Sequence, residues 1–200
     1  FMEVTPRVHV EHTITEELTG IDLIRAQINV FCGLSIQDQK LSEVQISGKR
    51  ASIQARLNME SYDNKIQLVP ATGIIKEYDI ALGPGIRVDD AGTVGLENNG
   101  LYDSLLAKVI ATSDFGLSEA VRKLNFTLRM SKISGIETNK DLIIEVLNQE
   151  NIESASVNIS SIDMKLESYL KKLESNSQKS VIENKVPEGP YKPQIDSPLS

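Results

Sequence analysis

Residues 1–20 read FMEVTPRVHVEHTITEELTG, and the rest of the chain is organised around them. Taken as a strand, residues 1–5 alternate: Phe1 and Glu3 face one side, Met2 and Val4 the other, so a carboxylate sits in an otherwise apolar element. After Pro6 the alternation resumes, and Arg7, His9 and Glu11 project to one face in steps of roughly 7 Å. An acid followed by a cation, an imidazole and a second acid can hold a divalent cation, an anion and a proton acceptor together. An exposed strand edge laced with ion pairs has the same spacing. The pattern by itself leaves both readings open.

The bulk properties narrow the field. A chain of 200 residues holds one ordinary domain, or one domain and a tail. A net charge of -7, with no run of Lys or Arg interleaved with aromatics, argues against a nucleic-acid partner. The apolar runs are too short for a bilayer span, and the start has neither a basic n-region nor an apolar h-region, so no membrane partner is expected. The single Cys32 cannot close an internal disulfide; its apolar helical surroundings predict core packing and fit a reducing, intracellular compartment. The first residue is not Met and falls within a strand pattern, so the chain is expected to be a fragment.

Moving outward from the opening stretch, Thr13 and Glu16 have the spacing of a capping box for a short helix that Thr19 and Gly20 interrupt. Residues 22–32 form a second helix with a broad apolar surface, closed by Gly33, and the expectation is a buried core helix. Residues 34–49 read as connector. From Arg50 the period changes to two, with Ala51, Ile53, Ala55 and Leu57 alternating against Ser52, Gln54, Arg56 and Asn58, a strand with Arg56 on its polar side. GIIKEYDIA at 73–81 reads as another strand, residues 86–88 as a short extended piece, and 105–111 as a strand apolar enough to be buried on both faces. Residues 117–130 recur at helical spacing behind Asp114 or Ser118 as cap. Residues 133–137 are extended, and Asn139 caps a helix through Leu147. A last amphipathic helix covers 162–173, and residues 175–200 have the composition of a linker. The class is α+β.

The opening phrase resembles the signature of biotin carboxylase, the ATP-grasp component of biotin-dependent carboxylases. The resemblance continues in order through RASIQARLNME at 50–60, GPGIRVDD at 83–90, LYDSLLAKVIA at 101–111 and SGIETN at 134–139. It implies the end of an ATP-grasp core over 1–33, a C-terminal subdomain of mostly antiparallel sheet with helices over 34–174, and a disordered linker over 175–200. The closing IDSPLS resembles the opening of a biotinyl carrier domain.

The resemblance also implies roles. Glu3 matches the carboxylate that holds magnesium or manganese against the ATP phosphates, and Thr5 stands where the family has a metal-binding Asn. Arg7 matches the arginine that orients bicarbonate, and Val10 supplies backbone to the same anion. His9 stands where the family has a bicarbonate-binding Gln. Glu11 matches the general base and Arg56 the arginine that stabilises the biotin enolate. A hydroxyl at Thr5 is a weaker magnesium ligand than an amide carbonyl, and an imidazole at His9 can take a charge near neutral pH.

The implied reaction is ATP-dependent carboxylation of biotin by bicarbonate, within a carboxylase closest to the acyl-CoA type, with pyruvate and urea carboxylases behind. The implied partners are ATP, bicarbonate, the biotinyl carrier domain of the same protein and a second copy of the subdomain, with Arg87 near that dimer surface. The fragment alone is not expected to turn over. The alternative is a carboxylase relic, kept as a structural or dimerisation module.

Overall fold

The computed structural model of the chain describes residues 4–46, 48–62, 68–148 and 152. Glu3, the helix expected over 162–173 and the linker expected over 175–200 lie outside the described residues.

The alternation that begins at Arg50 builds β1, Ala51–Asn58. Its partner is the apolar run Leu105–Ser113, which forms β8 after six short strands: β2 (Glu60–Tyr62), β3 (Leu68–Pro70), β4 (Gly73–Ile74), β5 (Glu77–Asp79), β6 (Ile86–Asp90) and β7 (Glu97–Asn98). β8 lies between β1 and β6, antiparallel to both. Three two-stranded pieces surround this sheet: β2 with β3, β4 with β7, and β5 with β9 (Lys132–Ser134).

Period two decides which face of the sheet does what. One face carries Ala55, Leu57, Ala107, Val109 and Ala111 into a core closed by Val121, Leu124 and Leu128 of α3, Leu117–Met130. Leu147 of α4, Lys140–Leu147, joins them. Each fully buried leucine here is worth roughly 1.5–3 kcal/mol. On the other face the strand register lines up Arg56, Lys108 and Asp89 in one row and Gln54, Ile110 and Arg87 in the next. Helix α1, His12–Thr19, packs on this polar side against β1 and β8. Covered by a helix on each side, β8 is buried almost throughout, as its continuous apolar sequence requires.

The α+β class holds, and α3 has the span expected from its helical period. Several local expectations do not hold. Residues 4–11 form bends and turns instead of the strand expected there, because Pro6 bends the chain and the His12 amide closes a turn onto the His9 carbonyl at 3.1 Å. The capping box does not form: the Thr13 hydroxyl donates to Gln54 Oε1 at 2.5 Å, and the Glu16 carboxylate is taken by other donors. The stretch 73–81 is two strands, because its first half pairs with β7 and its second with β9, and Ile75 and Lys76 turn between them. Gly116 holds the N-cap position of α3; Asp114 pairs with Arg50 instead, and Ser118 lies inside the helix.

Helix α2, Leu23–Phe31, begins at Asp22, whose carboxylate accepts from the Arg25 amide at 2.8 Å. It is not the buried helix its composition predicts. Ala26 is its one buried residue, while Ile24, Ile28, Val30 and Phe31 are exposed, and so is Cys32. The apolar surface is real, but no described element packs over it.

Candidate functional site

The opening loop is positioned by the helix that follows it. α1 ends where Gly20 enters the left-handed region at φ 75°, its amide donating to Glu16 O, a conformation glycine adopts without strain. The buried Thr13 fixes the start of the helix on β1 through Gln54. That contact leaves Glu11, two residues earlier, over Arg56, two residues further along the same strand face.

Arg56 Nη2 donates to Glu11 Oε1 at 2.7 Å, with the two side chains 50% and 48% exposed. His9 Nδ1 lies 4.0 Å from Glu11 Oε2, so the two carboxylate oxygens face an arginine on one side and an imidazole on the other. The expected site residues Glu11, Arg56 and His9 therefore come together, although the strand that would have aligned His9 and Glu11 is absent. Arg7 does not join them. Its guanidinium is exposed, and Nη1 donates to the carbonyl of its neighbour Val8 at 3.3 Å. Val10 lies in the turn leading into α1, half-buried, and Thr5 is half-buried in the preceding loop.

Beneath α1 lies a charged network that the sequence reading does not assemble, naming Glu16 only for a capping box and Arg87 only near a dimer surface. Glu16, 9% exposed, receives Arg87 Nη1 on Oε2 at 2.8 Å and the Leu23 amide on Oε1 at 2.9 Å, and His12 Nδ1 stands 3.1 Å from the same Oε1. Arg87 also donates to both oxygens of Asp89, from Nε at 2.8 Å and Nη2 at 3.1 Å, and Lys108 Nζ approaches Asp89 Oδ2 at 3.2 Å. Burial opposes ionisation of Glu16, but the bonds from Arg87 and the Leu23 amide, with the His12 imidazole close by, outweigh it and hold the carboxyl below its ordinary range. The Arg87 fork lowers Asp89 in the same way, against its partial burial and with help from Lys108. Arg87 itself is held still more firmly protonated by Asp89. The period-two pattern puts Arg87, Asp89 and Lys108 on one face once the register is known, but Glu16 comes from 71 residues away.

Among the described residues no three His, Cys, Asp or Glu side chains cluster closely enough to hold a metal ion. Thr5 offers a single hydroxyl, so the described part does not by itself make a magnesium site. The open arrangement of His9, Glu11 and Arg56 suits a small anion better: a planar cation, an imidazole and a carboxylate together at the surface.

Residues 54–164 match the biotin carboxylase C-terminal domain family, and residues 1–39 match the carbamoyl-phosphate synthase L chain ATP-binding domain family. Pyruvate carboxylase 1 of Caenorhabditis elegans is 38% identical over 164 residues, which are 82% of this chain and 14% of that protein. A single-chain, multi-domain long-chain acyl-CoA carboxylase has a solved structure that superposes with a TM-score of 0.75 at 33% identity, over 83% of this chain and 18% of that one. The biotin carboxylase domain of a thermophilic 2-oxoglutarate carboxylase, solved with bicarbonate bound, superposes with a TM-score of 0.67 at 30% identity, over 77% and 33% of the two chains. The chain thus spans about a seventh to a third of these relatives. With more than half its length inside the family match and the antiparallel sheet and helices that the match implies, the chain belongs to the biotin carboxylase family.

Proposed function

We propose that the chain is the part of a biotin carboxylase that contributes the bicarbonate base and the biotin-facing arginine, in the reaction of biotin, bicarbonate and ATP to carboxybiotin, ADP and phosphate. The observation that carries this reading is the 2.7 Å contact between Glu11 and Arg56, which joins the residue read as base to the residue read as enolate stabiliser. Glu11 takes the proton from bicarbonate, whose oxygen then attacks the terminal phosphoryl of ATP; ADP leaves, and the carboxyphosphate formed breaks down to carbon dioxide, which the biotin ureido nitrogen attacks, and phosphate, which takes that nitrogen's proton. Arg7 presents a planar fork to the planar anion, with His9 and the backbone of Val10 completing its hydrogen bonds. Arg56 stands opposite the negative charge that develops on the biotin ureido oxygen as its nitrogen loses a proton. Magnesium or manganese, held by Glu3 and Thr5, would neutralise charge on the nucleotide phosphates.

Biotin arrives on the carrier domain of the same protein. The acceptor is read as an acyl-CoA on the strings at 57–61, 71–90 and 101–111; acyl-CoA and pyruvate carboxylases both superpose on the chain. A second copy is read as docking through the face around Arg87, beside an open groove of about 650 Å³ next to α1.

The test is bicarbonate- and biotin-dependent ADP release by the complete carboxylase, beside the reversions Thr5→Asn and His9→Gln. Turnover by the unreverted protein supports the reading. Turnover only after reversion favours the relic, to which the departures at Thr5 and His9 point. Transfer to acyl-CoA and not to pyruvate identifies the acceptor.

A further inference from the structure

β1 is an outer strand of its sheet, since the order is β1, β8, β6. The outward-facing amides and carbonyls of such a strand need partners. At the end that carries Arg56, a single residue supplies them. Asn139 Oδ1 accepts from the Asn58 amide at 2.9 Å, Asn139 Nδ2 donates to the Arg56 carbonyl at 3.1 Å, and the Asn139 amide donates to the Asn58 carbonyl at 3.1 Å. The three bonds reproduce what a neighbouring strand would make at residues 56 and 58. They fall where the ladder to β8 is weakest, because the register with β8 shifts between Leu57 and Asn58.

Asn139 could have served its own helix. It occupies the N-cap position of α4, where an Asn ordinarily accepts from an amide in the first turn, yet it makes no side-chain cap bond. The expected cap residue is thus in place but is used for β1. Gly135, at φ 91°, lets residues 134–139 swing back to the strand at this point.

We infer that Asn139 is a positioning residue for the carboxylation reaction: it fixes the β1 backbone at Arg56, and so aims the Arg56 guanidinium toward Glu11 and the biotin site. The inference rests on the proposed role of Arg56. The direction in which a long side chain leaves a strand is set by its backbone, and a half-exposed arginine has little packing of its own to restrain it. A donor to the Arg56 carbonyl on one edge and β8 on the other remove that freedom.

The test uses the complete carboxylase with four proteins: wild type, Arg56→Ala, Asn139→Asp and the double variant. Asn139→Asp keeps an acceptor for the Asn58 amide and removes the donor to the Arg56 carbonyl. Its expected effect is about a tenfold loss in kcat for biotin carboxylation, equivalent to about 1.4 kcal/mol, with the KM for ATP unchanged within about twofold. In the Arg56→Ala background the same substitution should cost less than about twofold, because the group it aims is gone.

Multiplying losses in the double variant, or wild-type turnover in Asn139→Asp alone, would overturn the inference while leaving the role of Arg56 intact. Wild-type turnover in Arg56→Ala would remove that role and the inference with it. Should Asn139→Asp not fold, Asn139→Ser, still a good N-cap but too short to reach the Arg56 carbonyl, carries the same comparison. Failure of both to fold would make Asn139 a determinant of folding alone and overturn the positioning role.

Discussion

Arg56 Nη2 stands 2.7 Å from Glu11 Oε1, although the two residues are 45 positions apart in the chain. Both side chains are about half exposed, and an ion pair in that setting is worth under about 1 kcal/mol to the fold. In the proposed reaction its value is to chemistry. Glu11→Gln is therefore expected to move stability by no more than about 0.5 kcal/mol in urea titration. Bicarbonate-dependent turnover should fall by about 100-fold or more, the contribution of a positioned base. Comparable losses in stability and rate would mean that the pair is structural.

Arg87 is the reverse case. It is the cation of the buried Glu16 and of Asp89 together, so removing it strands charge under α1. Arg87→Met should cost about 2–4 kcal/mol, toward the low side for a deeply buried pair because Arg87 is about a third exposed. Adding Glu16→Leu should recover part of that loss, since the uncompensated carboxylate is what is penalised. Urea midpoints of the single and double variants decide the matter; a double variant less stable than the single would show that the network holds the fold as ion pairs.

The same network fixes the response to acid. The folded-state pKa values of Glu16 and Asp89 are both lowered, so their stabilisation is complete above the unfolded values near pH 4 and is lost as pH falls through the folded ones. Stability should decline between about pH 5 and 3, with a ceiling of about 1.4 kcal/mol per pH unit for each proton taken up on unfolding. Glu16→Gln should flatten this acid limb. Parallel limbs in wild type and variant, measured by urea titration at each pH, would rule out Glu16 as a contributor.

What was legible in the sequence follows from how far each feature depends on distant partners. The period of residues 117–130 is a local property, and α3 has that span. The alternation at 51–58 separates the apolar face of β1 from its polar face, and the apolar run at 105–111 implies burial on both sides, which β8 shows. The stretch 73–81 failed because a strand ends where its partner changes, and β7 and β9 are remote from it. Helix α2 failed differently: its apolar residues record a need for cover without showing what supplies it. At the site, His9 and Glu11 stand out by spacing in the opening phrase, and Arg56 takes its role from the block at 50–60 that resembles the family. Their meeting depends on Thr13 reaching Gln54, a hydroxyl that sequence spacing had assigned to a cap.

The last prediction concerns the turn that delivers Asn139. Gly135 has φ 91°, and a methyl group built on it would overlap the carbonyl oxygen of Ile74 and press on the Lys76 backbone. The neighbouring residues cannot move freely, because the Lys76 amide donates to the Ser134 carbonyl at 2.8 Å and β5 pairs with β9 on the other side of the junction. Gly135→Ala thus combines a left-handed backbone that an L side chain resists with a contact against main chain. Together these should cost about 2–4 kcal/mol. Relief requires β9 to separate from β5, which would also draw residues 136–139 away from β1. The variant should accordingly lose turnover as well as stability, and at temperatures where it remains folded its turnover should resemble that of Asn139→Asp. A Gly135→Ala protein that is destabilised yet fully active while folded would show that the turn supports the fold without governing Arg56.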